Sequence, residues 1–66
     1  MFQVGDRVLV KDALCSDRYE FQAVVLQVFQ GCCLVEFVDN GEVYQDLVDD
    51  WDLYLEDEFV KEYGSL

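Results

Sequence analysis

The chain has 66 residues, 53% of them apolar and 15% aromatic, with 15 Asp or Glu against 4 Lys or Arg and a net charge of −11. That is one small globular domain with a thin core, too short for a second domain. No apolar run is long enough to cross a bilayer, and anionic lipid would repel so acidic a protein.

Phe2 to Lys11 reads FQVGDRVLVK, in which Val4-Gly5-Asp6 suits a turn and Val8 and Val10 alternate with Arg7, Leu9 and Lys11 as in a strand. Asp12 to Arg18 is a polar loop. Tyr19 to Gln30 is a longer strand, apolar on both faces: Ala23, Val25 and Phe29 on one, Val24, Leu26 and Val28 on the other. Such a strand must be covered on both sides or bend to serve two halves of a barrel. Gly31 turns the chain into a third strand, Cys32 to Val38, where Glu36 faces water and Cys33, Val35 and Phe37 face inward. Asn40-Gly41 supplies the positive φ values of a two-residue hairpin, and Glu42 to Gln45 follows as a short fourth strand.

Residues 1–46 are thus the barrel strands, and residues 47–66 an acidic, partly helical segment of the same domain. Leu47, Trp51, Leu55, Phe59 and Tyr63 recur every four residues, as on one helical stripe with Val48 alongside. The alternative is a fifth strand over Asp52 to Glu56 and a helical turn from Asp57 to Tyr63, with Gly64 as the stop. Trp51 is expected in the core, as a lone Trp in a small domain usually is.

Catalysis finds no support. The chain has no His, no glycine-rich phosphate loop, and no base placed to activate Ser16 or Ser65. Cys15, Cys32 and Cys33 are odd in number and lack CxxC spacing, so they read as small buried apolar residues rather than zinc ligands. No cofactor is expected, and no secretory signal is visible.

The acids carry the functional signal. Asp39 to Leu66 holds ten acids and only Lys61, and between Asp46 and Glu58 seven acids meet no base. These seven, Asp46, Asp49, Asp50, Asp52, Glu56, Asp57 and Glu58, are the candidate partner-binding residues, with Trp51 and Tyr54 as candidate apolar anchors. Interleaved with apolar residues, they should fold and hold their charges in place, unlike a solvated acidic tail. Binders of duplex DNA dock through Lys and Arg clusters, and a compact domain presenting carboxylates at comparable density can occupy the same cleft. The expected partner is a protein with a basic nucleic-acid-binding surface, the expected state a monomer, and no direct contact with nucleic acid or membrane is expected.

Two resemblances extend this reading. FxVGDxVxV, then YxFxAVVxxV, then CLVEFxDNG with a following short strand, is similar to the Tudor pattern over residues 2–53. It implies a mainly β fold, a small bent antiparallel five-stranded Tudor-like (SH3-like) barrel, here with a short C-terminal acidic helix. It also implies an alternative function, reading of basic or methylated peptides in an aromatic cage. The matching cage positions are Lys11 or Asp12, Phe21, Phe37 and Asn40, with Tyr19 and Tyr44 nearby. In size, acidity and lack of catalytic groups the chain resembles the small phage-encoded anti-CRISPR proteins, the type I-C inhibitors among them. That implies a Cascade-type target whose DNA-receiving surface is blocked, in the cytoplasm of an infected bacterium.

Overall fold

In the computed structural model, which describes residues 1–11 and 19–64, the chain is mainly β. Strands β1 (Arg7–Lys11), β2 (Tyr19–Val28), β3 (Cys32–Asp39) and β4 (Glu42–Asp49) lead through a single 3-10 turn (Asp50–Asp52) into β5 (Leu53–Leu55) and helix α1 (Glu56–Tyr63). All pairings are antiparallel, in one sheet of order β4-β3-β2-β1-β5. The expected loop from Asp12 to Arg18, with Cys15 in it, lies outside the described residues.

Chain connectivity forces this sheet to bend. Laid flat, the edge strands β4 and β5 would stand four spacings of about 4.8 Å apart, or roughly 19 Å. Yet only Asp50–Asp52 join them, and four residue steps at the 3-10 rise of about 2.0 Å reach roughly 8 Å. The edges must therefore curl toward each other. Two irregularities provide the bend, one between Val10 and Lys11 in β1 and one between Val25 and Gln27 in β2. The roll stops short of closure: no ladder joins β4 to β5 among the described residues. The result is the small bent five-stranded antiparallel sheet expected, with its short C-terminal helix, left open between β4 and β5.

Inside the curl lies the core, Val8, Ala23, Val25, Cys33, Val35 and Leu53, all buried, with Phe2, Val10, Val28, Phe37, Val48 and Leu55 packed around them. The bulge at Leu26 shifts strand parity by one, because Val25 pairs with Val35 and Val28 with Cys33. Val28 therefore joins the inner face with Val25, not the opposite face as strict alternation predicts.

Leu9 is only 3% exposed although its neighbour Val8 is also buried. It points to the outer face, across from Tyr54, and lines the depression beneath α1 with Phe59. A free helix of eight residues would not hold. This one is anchored by a ring cluster in which Phe59 meets Tyr54 edge-on at 5.7 Å and Tyr63 packs on Phe59 at 4.6 Å. Gly64, at φ 87°, ends it by donating its N–H to the Val60 carbonyl at 2.8 Å.

The hairpin residues Asn40 and Gly41 have φ of 52° and 78°, as the Asn-Gly turn requires. β4, however, runs four residues beyond its expected end at Gln45, because Asp46, Leu47, Val48 and Asp49 complete the ladder opposite Val35, Leu34, Cys33 and Cys32. The boundary expected at residue 47 therefore falls inside a strand. The four-residue recurrence from Leu47 to Tyr63 is spread over strand, 3-10 turn, strand and helix rather than one helical stripe.

Candidate acidic recognition surface

The seven candidate acids fall into two groups. Asp46, Asp49, Asp50 and Asp52 follow one another along the end of β4 and around the 3-10 turn. Glu56, Asp57 and Glu58 form the first turn of α1, beyond β5. Three residues of strand span about 10 Å, so the sheet edge holds the two groups apart rather than merging them on one helix.

Local chemistry fixes the first group. Asp46 Oδ1 accepts the Leu47 N–H at 2.9 Å. Asp50 donates its own N–H to the Gly31 carbonyl at 3.1 Å, which docks the 3-10 turn on the β2–β3 turn. Its Oδ1 accepts from Cys33 Sγ at 3.6 Å, a weak thiol contact. Burial first, and then this carboxylate, push the Cys33 thiol up to about 11. Asp46, Asp49 and Asp50 are exposed, and Asp52 is half-buried. Glu56, Asp57 and Glu58 also serve the helix, since carboxylates at a helix N-terminus complement its dipole.

Trp51 is 84% exposed at the crest of the turn, among Asp49, Asp50 and Asp52. The expectation of a core Trp is thus overturned: the turn must bridge two converging strand edges, and that leaves its middle side chain outside the curl. Tyr54, the other candidate anchor, is half-buried on the outer face. Its hydroxyl donates to Glu62, and that bond, ahead of partial burial, pushes the phenol up to about 12. It supports α1 rather than projecting freely.

Sequence reasoning passed over the far end of β4. Asp39 and Glu42 are both exposed beside the hairpin. Glu42 accepts the Tyr44 hydroxyl at 2.7 Å, which raises that phenol above its ordinary range. Both belong to the same acidic stretch, and the signal for them was their place beside the Asn-Gly turn.

Among the positions matching an aromatic cage, Phe21, Phe37 and Tyr44 form a row across β2, β3 and β4. Phe21 and Phe37 are 5.5 Å apart, and Phe37 and Tyr44 are nearly parallel at 5.6 Å. A methylammonium held between two faces needs about 3.5–4 Å on each side, or some 7–8 Å in all. These rings fill one another's space, and Phe37 packs against the core. Lys11 is half-buried at the end of β1, and Asn40 lies in the hairpin turn. Asp12 and the Tyr19 side chain lie outside the described residues.

No group of metal-ligating side chains capable of holding an ion occurs among the described residues, and no described helix is long and apolar enough to cross a membrane. No protein-family model, curated protein or solved structure matches the chain, so its function has to be read from its own surface.

Proposed function

We propose that this protein is an acidic mimic of duplex DNA, an inhibitor that occupies the basic DNA-receiving surface of a nucleic-acid-binding complex. The carrying observation is charge density. Ten acids and a single Lys61 lie between Asp39 and Gly64, a net −9 (ten minus one), and strand, turn and helix hold them within a body of 29 × 27 × 20 Å. Duplex DNA likewise presents closely spaced charge, about one per 1.7 Å of axis, and such a surface offers Arg and Lys clusters a rigid substitute for phosphates. Asp46, Asp49, Asp50 and Asp52 would make the main contacts, with Glu56, Asp57 and Glu58 as a second group. Trp51 would be the apolar anchor at the centre of the first group, the position where interface aromatics contribute most. The reading needs no catalytic group and no cofactor. Its target class is a Cascade-type CRISPR complex in an infected bacterium.

The test is a gel-shift measurement of a purified type I-C Cascade complex on its target duplex, with this protein added in increasing amounts. The expected result is loss of the DNA-bound species, relieved by salt and absent with an Asp46→Asn, Asp49→Asn, Asp50→Asn, Asp52→Asn variant. Inhibition that survives neutralisation of these acids would overturn the reading. A variant Phe21→Ala that abolishes binding, together with capture of free methylated peptides, would transfer the function to peptide reading.

A further inference from the structure

Among the described residues no strand pairs with the outer edge of β4, which presents a backbone ladder, an apolar row and a charged row in register. The two-residue turn makes Asp39 and Glu42 the closing hydrogen-bonded pair of the hairpin. Bonding then alternates, so Glu42, Tyr44, Asp46 and Val48 direct their backbone groups at β3, while Val43, Gln45 and Leu47 direct theirs outward. The Leu47 N–H bonds the Asp46 carboxylate instead of β3, which independently fixes the same phase.

Side chains alternate in step. On the outer face Val43 and Leu47 are 62% and 58% exposed, and Val38, paired with Val43, is 64% exposed. α1 covers the β1 and β5 side of that face and leaves this side open. On the inner face Tyr44 and Asp46 are both exposed.

We infer that the β4 edge takes an extended segment of a partner protein as a sixth strand, one in which apolar residues alternate with Lys or Arg. The incoming backbone meets the outward N–H and C=O groups of Val43 and Gln45 and the outward carbonyl of Leu47, whose N–H is held by Asp46. Its apolar side chains cover Val38, Val43 and Leu47, and its cations lie over Tyr44 and against Asp46 and Glu42. Charge selects this occupant over a second copy of the chain. A second copy brings the same net charge of −11 and the same acidic β4, and like charges brought together at a shared sheet edge are destabilising. The acids thereby protect the edge from self-pairing while favouring a basic strand.

The test uses the intact protein and a synthetic peptide of alternating lysine and valine, about as long as β4. A second peptide of the same sequence is N-methylated on alternate residues, so that its charge is kept and one edge of donors is lost. Titration followed by amide NMR is expected to shift Val43, Gln45 and Leu47 and to slow hydrogen exchange at Val43 and Gln45, with α1 unaffected. The methylated peptide is expected to bind about 2- to 13-fold more weakly for each backbone bond removed. Gln45→Pro, which deletes an outward N–H and leaves the bonds to β3 and every acid in place, is expected to weaken binding similarly. Equal binding of both peptides, or shifts confined to the acids around Trp51, would overturn the inference. So would dimers of the protein alone in sedimentation, because a second copy would then hold the edge. The two readings separate cleanly. A Gln45→Pro protein that still blocks Cascade leaves the mimic standing without strand addition, as does loss of blocking only on charge neutralisation.

Discussion

Raising the salt concentration should stabilise this fold, and the size of the effect follows from the β4–turn acids. Asp46 and Asp49 are three strand residues apart, about 10 Å, and Asp49, Asp50 and Asp52 are closer. Two unit charges 10 Å apart repel by about 0.4 kcal/mol in water, so the roughly six pairs among four acids sum to about 2 kcal/mol. About half of this persists in the unfolded chain, where sequence neighbours stay close, which leaves about 1 kcal/mol specific to the fold. From 10 mM to 1 M NaCl the screening length falls from about 30 Å to about 3 Å, which removes nearly all of it. For a domain of this size 1 kcal/mol is worth about 4–8 °C in Tm. Thermal melts followed by circular dichroism should therefore rise by that amount. The Asp46→Asn, Asp49→Asn, Asp50→Asn, Asp52→Asn variant should melt higher at low salt and respond less to NaCl. Asn keeps the acceptors used by Leu47 and Cys33, so the comparison isolates charge. A Tm that is flat or falls with NaCl would refute the reasoning.

Cys33 should resist Ellman's reagent in the folded protein near pH 8, since its thiol is buried and raised to about 11 from 9.0. Its raised value makes its share of stability complete below about pH 9 and lost as pH climbs through 11; Asp50→Asn should speed the reaction, and fast labelling of native protein would contradict the burial. Tyr54 behaves likewise: its phenol, raised to about 12 from 10.0 by Glu62, favours the fold below pH 10 and loses that contribution through pH 12. Ultraviolet titration should show Tyr54 as a phenol ionising late, a phase lost in Tyr54→Phe; a Tyr54→Phe protein that keeps the phase near pH 12 would exclude the bond. Trp51→Ala should change stability by no more than about 0.5 kcal/mol, as for an exposed side chain, while weakening inhibition of the target complex. A large drop in Tm would show that Trp51 packs.

Legibility divides along the range of the forces involved. The Asn40-Gly41 turn, the inward parity of Cys33, Val35 and Phe37, and the stop at Gly64 are short-range backbone effects, and all three hold. The expected end of β4 at Gln45 and the core placement of Trp51 depend on long-range pairing, and both fail. A recurrence of four residues is one turn of helix, but it is also two repeats of a strand, so Leu47, Leu55 and Phe59 fit either period. What decides between them is the length of β3. Cys32, Cys33 and Leu34 need partners, and the only chain that reaches them through a two-residue hairpin is the segment through Asp49. Once β4 extends so far, three residues must carry the chain from one sheet edge to the other, and Trp51 stands outside at the crest. The same step placed Asp46 and Asp49 on an edge strand and Asp50 and Asp52 on the turn, while a fifth strand and then a helix carrying Glu56, Asp57 and Glu58 follow, as in the alternative reading of the tail. That is why the charge was legible from the sequence, while its arrangement along the outermost strand of the described sheet was not.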